Sequence, residues 1–149
     1  MAPNPESALK NPTYRQVCSG TSGHIEVLDL EFSDAKYFED LVKFFFQFHD
    51  PTTKNRQGND VGYQYASCIF VSNKEQESIA VKVKQDVQKL VDQKRILSYA
   101  NAKVETFIAS YNQFYEAQED HQEYLTKNPN GYCNHRIRFK DWPSADSVN

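Results

Sequence analysis

The chain has 149 residues, enough for one domain with a real core, and 39% apolar with 13% aromatic residues is a globular composition. A net charge of −3, a pI near 5.8 and scattered Lys and Arg argue against nucleic acid or an acidic membrane surface as partner. No apolar run reaches the length of a membrane span, and Met1-Ala2-Pro3-Asn4-Pro5-Glu6-Ser7 has neither the basic nor the apolar part of a secretion signal. Three cysteines (18, 68 and 133) are an odd set, which speaks against a secreted disulfide framework and for a cytoplasmic location.

Residues 1–11, with two prolines, read as an irregular lead-in. His24 to Phe32 reads as a strand whose even positions, Glu26, Leu28, Leu30 and Phe32, share one face. Two readings of Glu26 stand level. It reaches water from the strand's start, or it sits partly desolvated among apolar neighbours with a raised pKa. Ser33 or Asp34 caps a helix running to about Phe48, with Phe38, Leu41, Val42, Phe45 and Phe48 as its core stripe.

The stretch from His49 to Tyr65 is long, polar and irregular, yet it ends in Tyr63 and Tyr65 and lies between two apolar runs. Disordered segments are poor in aromatics, so an ordered, site-forming loop is the expectation. Pro51 ends the preceding helix, and Gly58 and Gly62 permit turns that would bring Asp60 and Tyr65 together. Ala66 to Val71 then reads as a short buried strand carrying an inert Cys68. Ser72-Asn73-Lys74-Glu75 fits a capping box, and Ile79, Val83, Val87 and Leu90 mark an amphipathic helix ending within 92–100.

Val104 to Ile108 reads as a strand and Tyr115 to Lys127 as a helix stopped by Pro129. Asn128-Pro129-Asn130-Gly131-Tyr132 is a double turn signal that should leave Cys133 accessible. Strands alternating with helices indicate an α+β or α/β sandwich with helices packed on a sheet. The tail from Asn134 shows no clear period.

Several chemistries find no support. There is no Cys-x-x-Cys or His-x-x-x-His pair, and only Cys133-x-His135 is close in sequence, so no metal site is expected. Gly58-x-x-x-Gly62 lacks the Lys-Ser/Thr of a phosphate loop, and no Gly-x-Ser-x-Gly elbow occurs. Tyrosines, two carboxylates and an accessible thiol remain, a set suited to binding a small polar oxide and to redox chemistry on sulfur.

Five motifs carry a resemblance. Tyr14-Arg15-Gln16-Val17-Cys18-Ser19-Gly20, Gly23-His24-Ile25-Glu26-Val27, and His49-Asp50-Pro51-Thr52 with Asn55-Arg56-Gln57-Gly58-Asn59-Asp60 come first. Phe114-Tyr115-Glu116-Ala117 with His121-Gln122-Glu123-Tyr124-Leu125 precedes Lys127-Asn128-Pro129-Asn130-Gly131-Tyr132-Cys133. In this order, over residues 12–133, they resemble methionine sulfoxide reductase A, leaving 134–149 as a C-terminal tail. The resemblance implies an α+β roll, a mixed sheet with helices packed on it, that reduces methionine S-sulfoxide, free or in oxidised proteins. It further implies a monomer with no resident cofactor, and thioredoxin or another dithiol as external reductant. By the same resemblance, Tyr14 and Tyr65 hydrogen-bond the sulfoxide oxygen, Glu26 protonates it, Asp60 belongs to the polar cradle, and Cys133 is the resolving cysteine.

The departures are specific. The family's nucleophile lies in a Gly-Cys-Phe-Trp-Gly segment upstream of these motifs, and this sequence contains none. The first strand and helix of the family fold are thus expected to be missing, as in a chain shortened at its N-terminus. Trp142, in the tail, does not replace that segment's aromatic wall. Tyr63 and Ala66 stand where Thr and Arg are usual, and Gln118-Glu119-Asp120 where the family has Glu-Asp-Tyr. Neither Cys18 nor Cys68 lies at a predicted helix N-terminus, the setting that would make it a replacement nucleophile. The expectation is a reductase by descent with little or no turnover of its own; the alternative is a non-catalytic module that binds oxidised methionine.

Overall fold

The computed structural model describes residues 1–142, so residues 143–149 of the predicted tail lie outside the described residues. A parallel pair of strands, β3 (Cys68–Val71) and β4 (Phe107–Ser110), forms the centre, with Cys68 opposite Phe107 and Val71 opposite Ser110. Parallel strands need a crossover. Here it is the 19-residue helix α3 (Lys74–Asp92), which buries Ala80, Val83, Val87, Leu90 and Val91. Asn73 caps it, accepting from the Gln76 amide at 2.9 Å, while Gln76 Oε1 accepts from the Ser72 amide at 2.7 Å. The cap thus falls one residue later than the Ser72–Glu75 box.

Helix α2 (Phe38–Phe48) packs against α3, entered through a 3-10 turn, Ala35–Tyr37, that Asp34 caps. Its buried stripe is Phe38, Val42 and Phe46, with Phe45 partly buried against the core. Phe46, not Phe48, is therefore the pivot: it has no solvent exposure, and its carbonyl accepts from the Tyr99 hydroxyl at 2.6 Å. Phe48 instead stacks on Phe44, which is 50% exposed. A shorter helix, α1 (Tyr14–Cys18), precedes α2 in the chain.

Between α2 and β3 the long loop is folded. Strands β1 (Arg56–Gln57) and β2 (Asp60–Val61) make a minimal antiparallel hairpin around Gly58, whose φ of +59° is available to glycine without strain. The buried Asp50 carboxylate ties the loop to the body. It accepts from the Thr52 amide at 3.0 Å and, across the chain, from the Ala100 amide at 2.8 Å. Buried His49 extends the same anchor, its Nε2 2.8 Å from Ser67 Oγ, which lies 2.8 Å from Thr106 Oγ1.

Three expectations need correction. Residues 24–32 are extended but form no strand: beyond Ile25 and Glu26, the main chain as far as Phe32 has no main-chain partner among the described residues. Alternation makes a strand only where another edge is available to pair with, and here Leu28 and Leu30 stand 80% and 55% exposed. Residues 115–127 are not one helix. A 3-10 turn (Glu119–His121) and one turn, α4 (Tyr124–Lys127), are separated by Glu123 in the left-handed region at φ 51°. Lys127 Nζ reaching back to Glu119, 2.7 Å from its carbonyl and 2.9 Å from its carboxylate, holds that bend. Finally, β4 begins three residues after the predicted Val104, because the Val104 amide is taken by Gln88 Oε1 at 2.8 Å. The lead-in is irregular yet docked: Met1 is buried, and Ile25 exchanges both main-chain hydrogen bonds with it.

Candidate functional site

Tyr14 opens α1, a helix set by a capping box. Thr13 Oγ1 accepts from the Gln16 amide, and Gln16 Oε1 accepts from the Thr13 amide at 2.8 Å. Such a box fixes which way the first turn points. Tyr14 is 43% exposed, with its ring 4.7 Å from that of His121. Its phenol interacts with the Cys18 thiol, one helical turn on, and that interaction first, then lesser burial, Tyr65 and Glu26 contributions, pushes the phenol pKa up to about 12.

Glu26 is brought to Tyr65 through the main chain, the Glu26 amide donating to the Gln64 carbonyl at 2.9 Å. Tyr65 itself ends a 3-10 turn (Tyr63–Tyr65) launched by Gly62, whose φ of +148° suits only glycine. Both pKa values rise. For Glu26 the cause is burial, with Asp60 adding to it and His121 opposing it. For Tyr65 it is burial, then Glu26, Asp60 and Cys18. Glu26 satisfies parts of both readings made from the sequence: the residue is solvent-accessible, yet burial of its carboxyl raises its pKa above the usual carboxylate value.

Asp60, on β2, accepts from Asn134 Nδ2 at 2.5 Å, and the same amide donates to the Gln57 carbonyl at 2.9 Å. The hairpin thus grips the residue next to Cys133. Cys133 is exposed, with Sγ 4.0 Å from His135 Nδ1. Four of the five expected residues, Tyr14, Glu26, Asp60 and Tyr65, therefore form one electrostatically linked group, and Cys133 joins it at the edge through Asn134. Phenol donors beside a carboxyl shifted toward its acid form suit an oxygen acceptor gaining a proton.

His121 and Asn134 were not singled out as site residues from the sequence. His121 lies inside the fourth motif and Asn134 one residue beyond the fifth, so neither stands out by spacing. Cys18, left open, lies on the phenol side of the site at the C-terminal end of α1. Cys68 has its thiol pKa pushed up to about 12 by burial, which keeps it protonated. Among the described residues no group of three or more His, Cys, Asp or Glu is placed to hold a metal ion, and no helix is long and apolar enough to cross a membrane.

The mixed helix-and-sheet fold carries phenols, a carboxyl and an exposed thiol in neighbouring segments. The family model of peptide methionine sulfoxide reductase matches residues 5–147. A Schizosaccharomyces pombe protein described as a "probable peptide methionine sulfoxide reductase" is 43% identical over 132 residues, 87% of this chain and 74% of that one. The mitochondrial peptide methionine sulfoxide reductase of Homo sapiens is 41% identical over 124 residues, 83% of this chain and 51% of that one. The crystal structure of reduced Mxr1 from Saccharomyces cerevisiae superposes with a TM-score of 0.76 at 33% identity, covering 91% of this chain and 73% of that one. The chain belongs to the peptide methionine sulfoxide reductase family, an oxidoreductase family, and spans between half and three quarters of the length of these relatives.

Proposed function

We propose that the site binds the S=O group of methionine S-sulfoxide, as the free amino acid or in oxidised proteins, and serves peptide-methionine (S)-S-oxide reduction. The observation that carries this is that Tyr14, Tyr65 and Glu26 lie close enough to perturb one another, with Asp60 acting on Glu26 and Tyr65. The two hydroxyls donate to the sulfoxide oxygen, and Glu26, held toward its acid form, gives that oxygen a proton. Protonation makes the sulfur electrophilic and the oxygen a leaving group. Asp60 disfavours a second negative charge at Glu26 and anchors Asn134 beside Cys133. Cys133 is then the thiol that condenses with a sulfenic acid, the disulfide being returned to thiols by thioredoxin or another dithiol.

The nucleophile implied by the resemblance belongs to a Gly-Cys-Phe-Trp-Gly segment absent from these 149 residues. Cys18 is a poor replacement, since it sits at the C-terminal end of α1, where the helix dipole disfavours a thiolate. The chain is therefore proposed to bind the sulfoxide with little or no turnover. That favours a second reading in parallel: a binding or regulatory module for oxidised methionine. Incubating the protein with methionine S-sulfoxide and dithiothreitol tests the first part. Methionine release at a steady multiple-turnover rate overturns the proposed lack of turnover, whereas binding without release supports the module.

A further inference from the structure

Cys133 and His135 lie two residues apart in the extended run after Gly131, and both are exposed. The imidazole is held rather than free. Its ring stacks on Phe48, 5.3 Å between centroids and 18° between planes. Its neighbours are clamped on both sides: Asn134 by Asp60 and Gln57, and Arg136 by an amide donating to the Phe48 carbonyl at 3.1 Å. The Arg138 amide repeats this on Gln47 at 2.7 Å, so the run lies along the end of α2. Nδ1 thereby stands 4.0 Å from Cys133 Sγ, the outer limit of a sulfur hydrogen bond.

We propose that His135 is the general base for Cys133, Nδ1 taking the thiol proton as Sγ attacks an electrophilic sulfur. This deepens the resolving role given to Cys133 above and depends on that reading only for the natural electrophile, a sulfenic acid. In that step the Cys133 S–H bond breaks and a new S–S bond forms. The S–O bond of the sulfenic acid breaks, and its hydroxide leaves as water with the proton passed through Nδ1. The two sulfurs end as a disulfide, the sulfenic sulfur reduced and the thiol oxidised.

A base must be neutral to accept the proton. Three charged or titratable groups face the imidazole: Asp60 on β2, Arg138 on its own segment and His49 just past α2. Burial is the largest influence and lowers the His135 pKa, with Asp60 opposing and Arg138 reinforcing. The lowering favours the neutral ring, which suits proton abstraction better than a permanent thiolate–imidazolium pair.

The test is the pH profile of Cys133 alkylation by iodoacetamide in the whole chain, quantified at Cys133 by peptide mass spectrometry. Wild type is compared with His135→Asn and with Phe48→Leu, which removes the stack but leaves the imidazole. At pH 6, wild type should react about tenfold faster than His135→Asn, the loose contact giving less than the usual general-base effect. The two should converge where free thiolate dominates, with Phe48→Leu between them. Cys18 alkylation in the same samples should be unchanged between proteins. Superimposable profiles, or a constant ratio at every pH, overturn the proposal, the latter by showing a structural effect alone. Because the probe is an alkylating agent, failure of sulfoxide binding leaves this measurement intact, and the two readings fail separately.

Discussion

Acid should weaken this fold through one residue, His49. Its imidazole is buried between α2 and β3, with Nδ1 on the Phe45 carbonyl and Nε2 on Ser67. Burial, the largest influence, lowers its pKa from 6.5 to about 4, against the partly opposing Phe45 carbonyl and Asp50. The folded state therefore resists a proton that the unfolded chain accepts below pH 6.5. A base with a depressed folded pKa contributes stability that is complete above the unfolded value and is lost as pH falls toward the folded one. The loss from this residue works out at about 1.4 kcal/mol by pH 5.5 and about 2.5 kcal/mol by pH 4.5, from linkage alone. Urea unfolding at pH 7.5, 6.5, 5.5 and 4.5 measures it. His49→Gln should be less stable at pH 7.5, having lost the fitted imidazole, and the gap to wild type should shrink toward pH 4.5. Parallel stability curves for the two proteins would show that His49 does not carry the pH dependence.

Other perturbations follow from the same structure. Phe46→Ala empties the pivot of the helix pair and should cost about 3–5 kcal/mol, read from the shift in the urea midpoint. Tyr14→Phe and Tyr65→Phe should each weaken binding of a sulfoxide peptide by about fivefold, roughly 1 kcal/mol, with no comparable loss of stability since both are partly exposed. Sulfoxide binding by wild type should decline as pH rises through the elevated Glu26 pKa, because the donating acid form is lost. Glu26→Gln, which keeps a donor, should flatten that profile in calorimetric titrations.

What the sequence made legible depended on whether a residue's partners were local. Helix α3 was readable because Val83, Val87 and Leu90 repeat at helical spacing, although its cap falls on Asn73, one residue after the Ser72 that the capping box indicates. The loop's order was readable from Pro51, Gly58 and Gly62, whose backbone demands do not depend on distant residues. The 24–32 run was not, since alternation marks strand propensity while pairing depends on a neighbouring edge. Phe46 and Phe48 were exchanged because both fit an apolar stripe, and only α3 and Tyr99 on one side, with His135 on the other, decide which face is buried. The 115–127 run fails as a helix because Glu123 turns left-handed and Lys127 folds back on Glu119.

At the candidate site, the sequence named Tyr14, Glu26, Asp60 and Tyr65 as expectations, but not what surrounds them. The closeness of His121 to Tyr14 and the bond from Asn134 to Asp60 join segments far apart in the chain. Spacing carries no record of such contacts. The rise of the Glu26 pKa is of the same kind, for it depends on burial and on the charge of Asp60, against the opposing His121, all brought together by folding.

The sulfoxide cradle is tested most directly by nuclear magnetic resonance of the folded protein titrated with a peptide containing methionine S-sulfoxide. Saturable shifts confined to Tyr14, Tyr65, Glu26 and their neighbours, absent with the unoxidised peptide, are the predicted result. A folded protein whose tyrosine and carboxyl signals stay in place through the titration would contradict it.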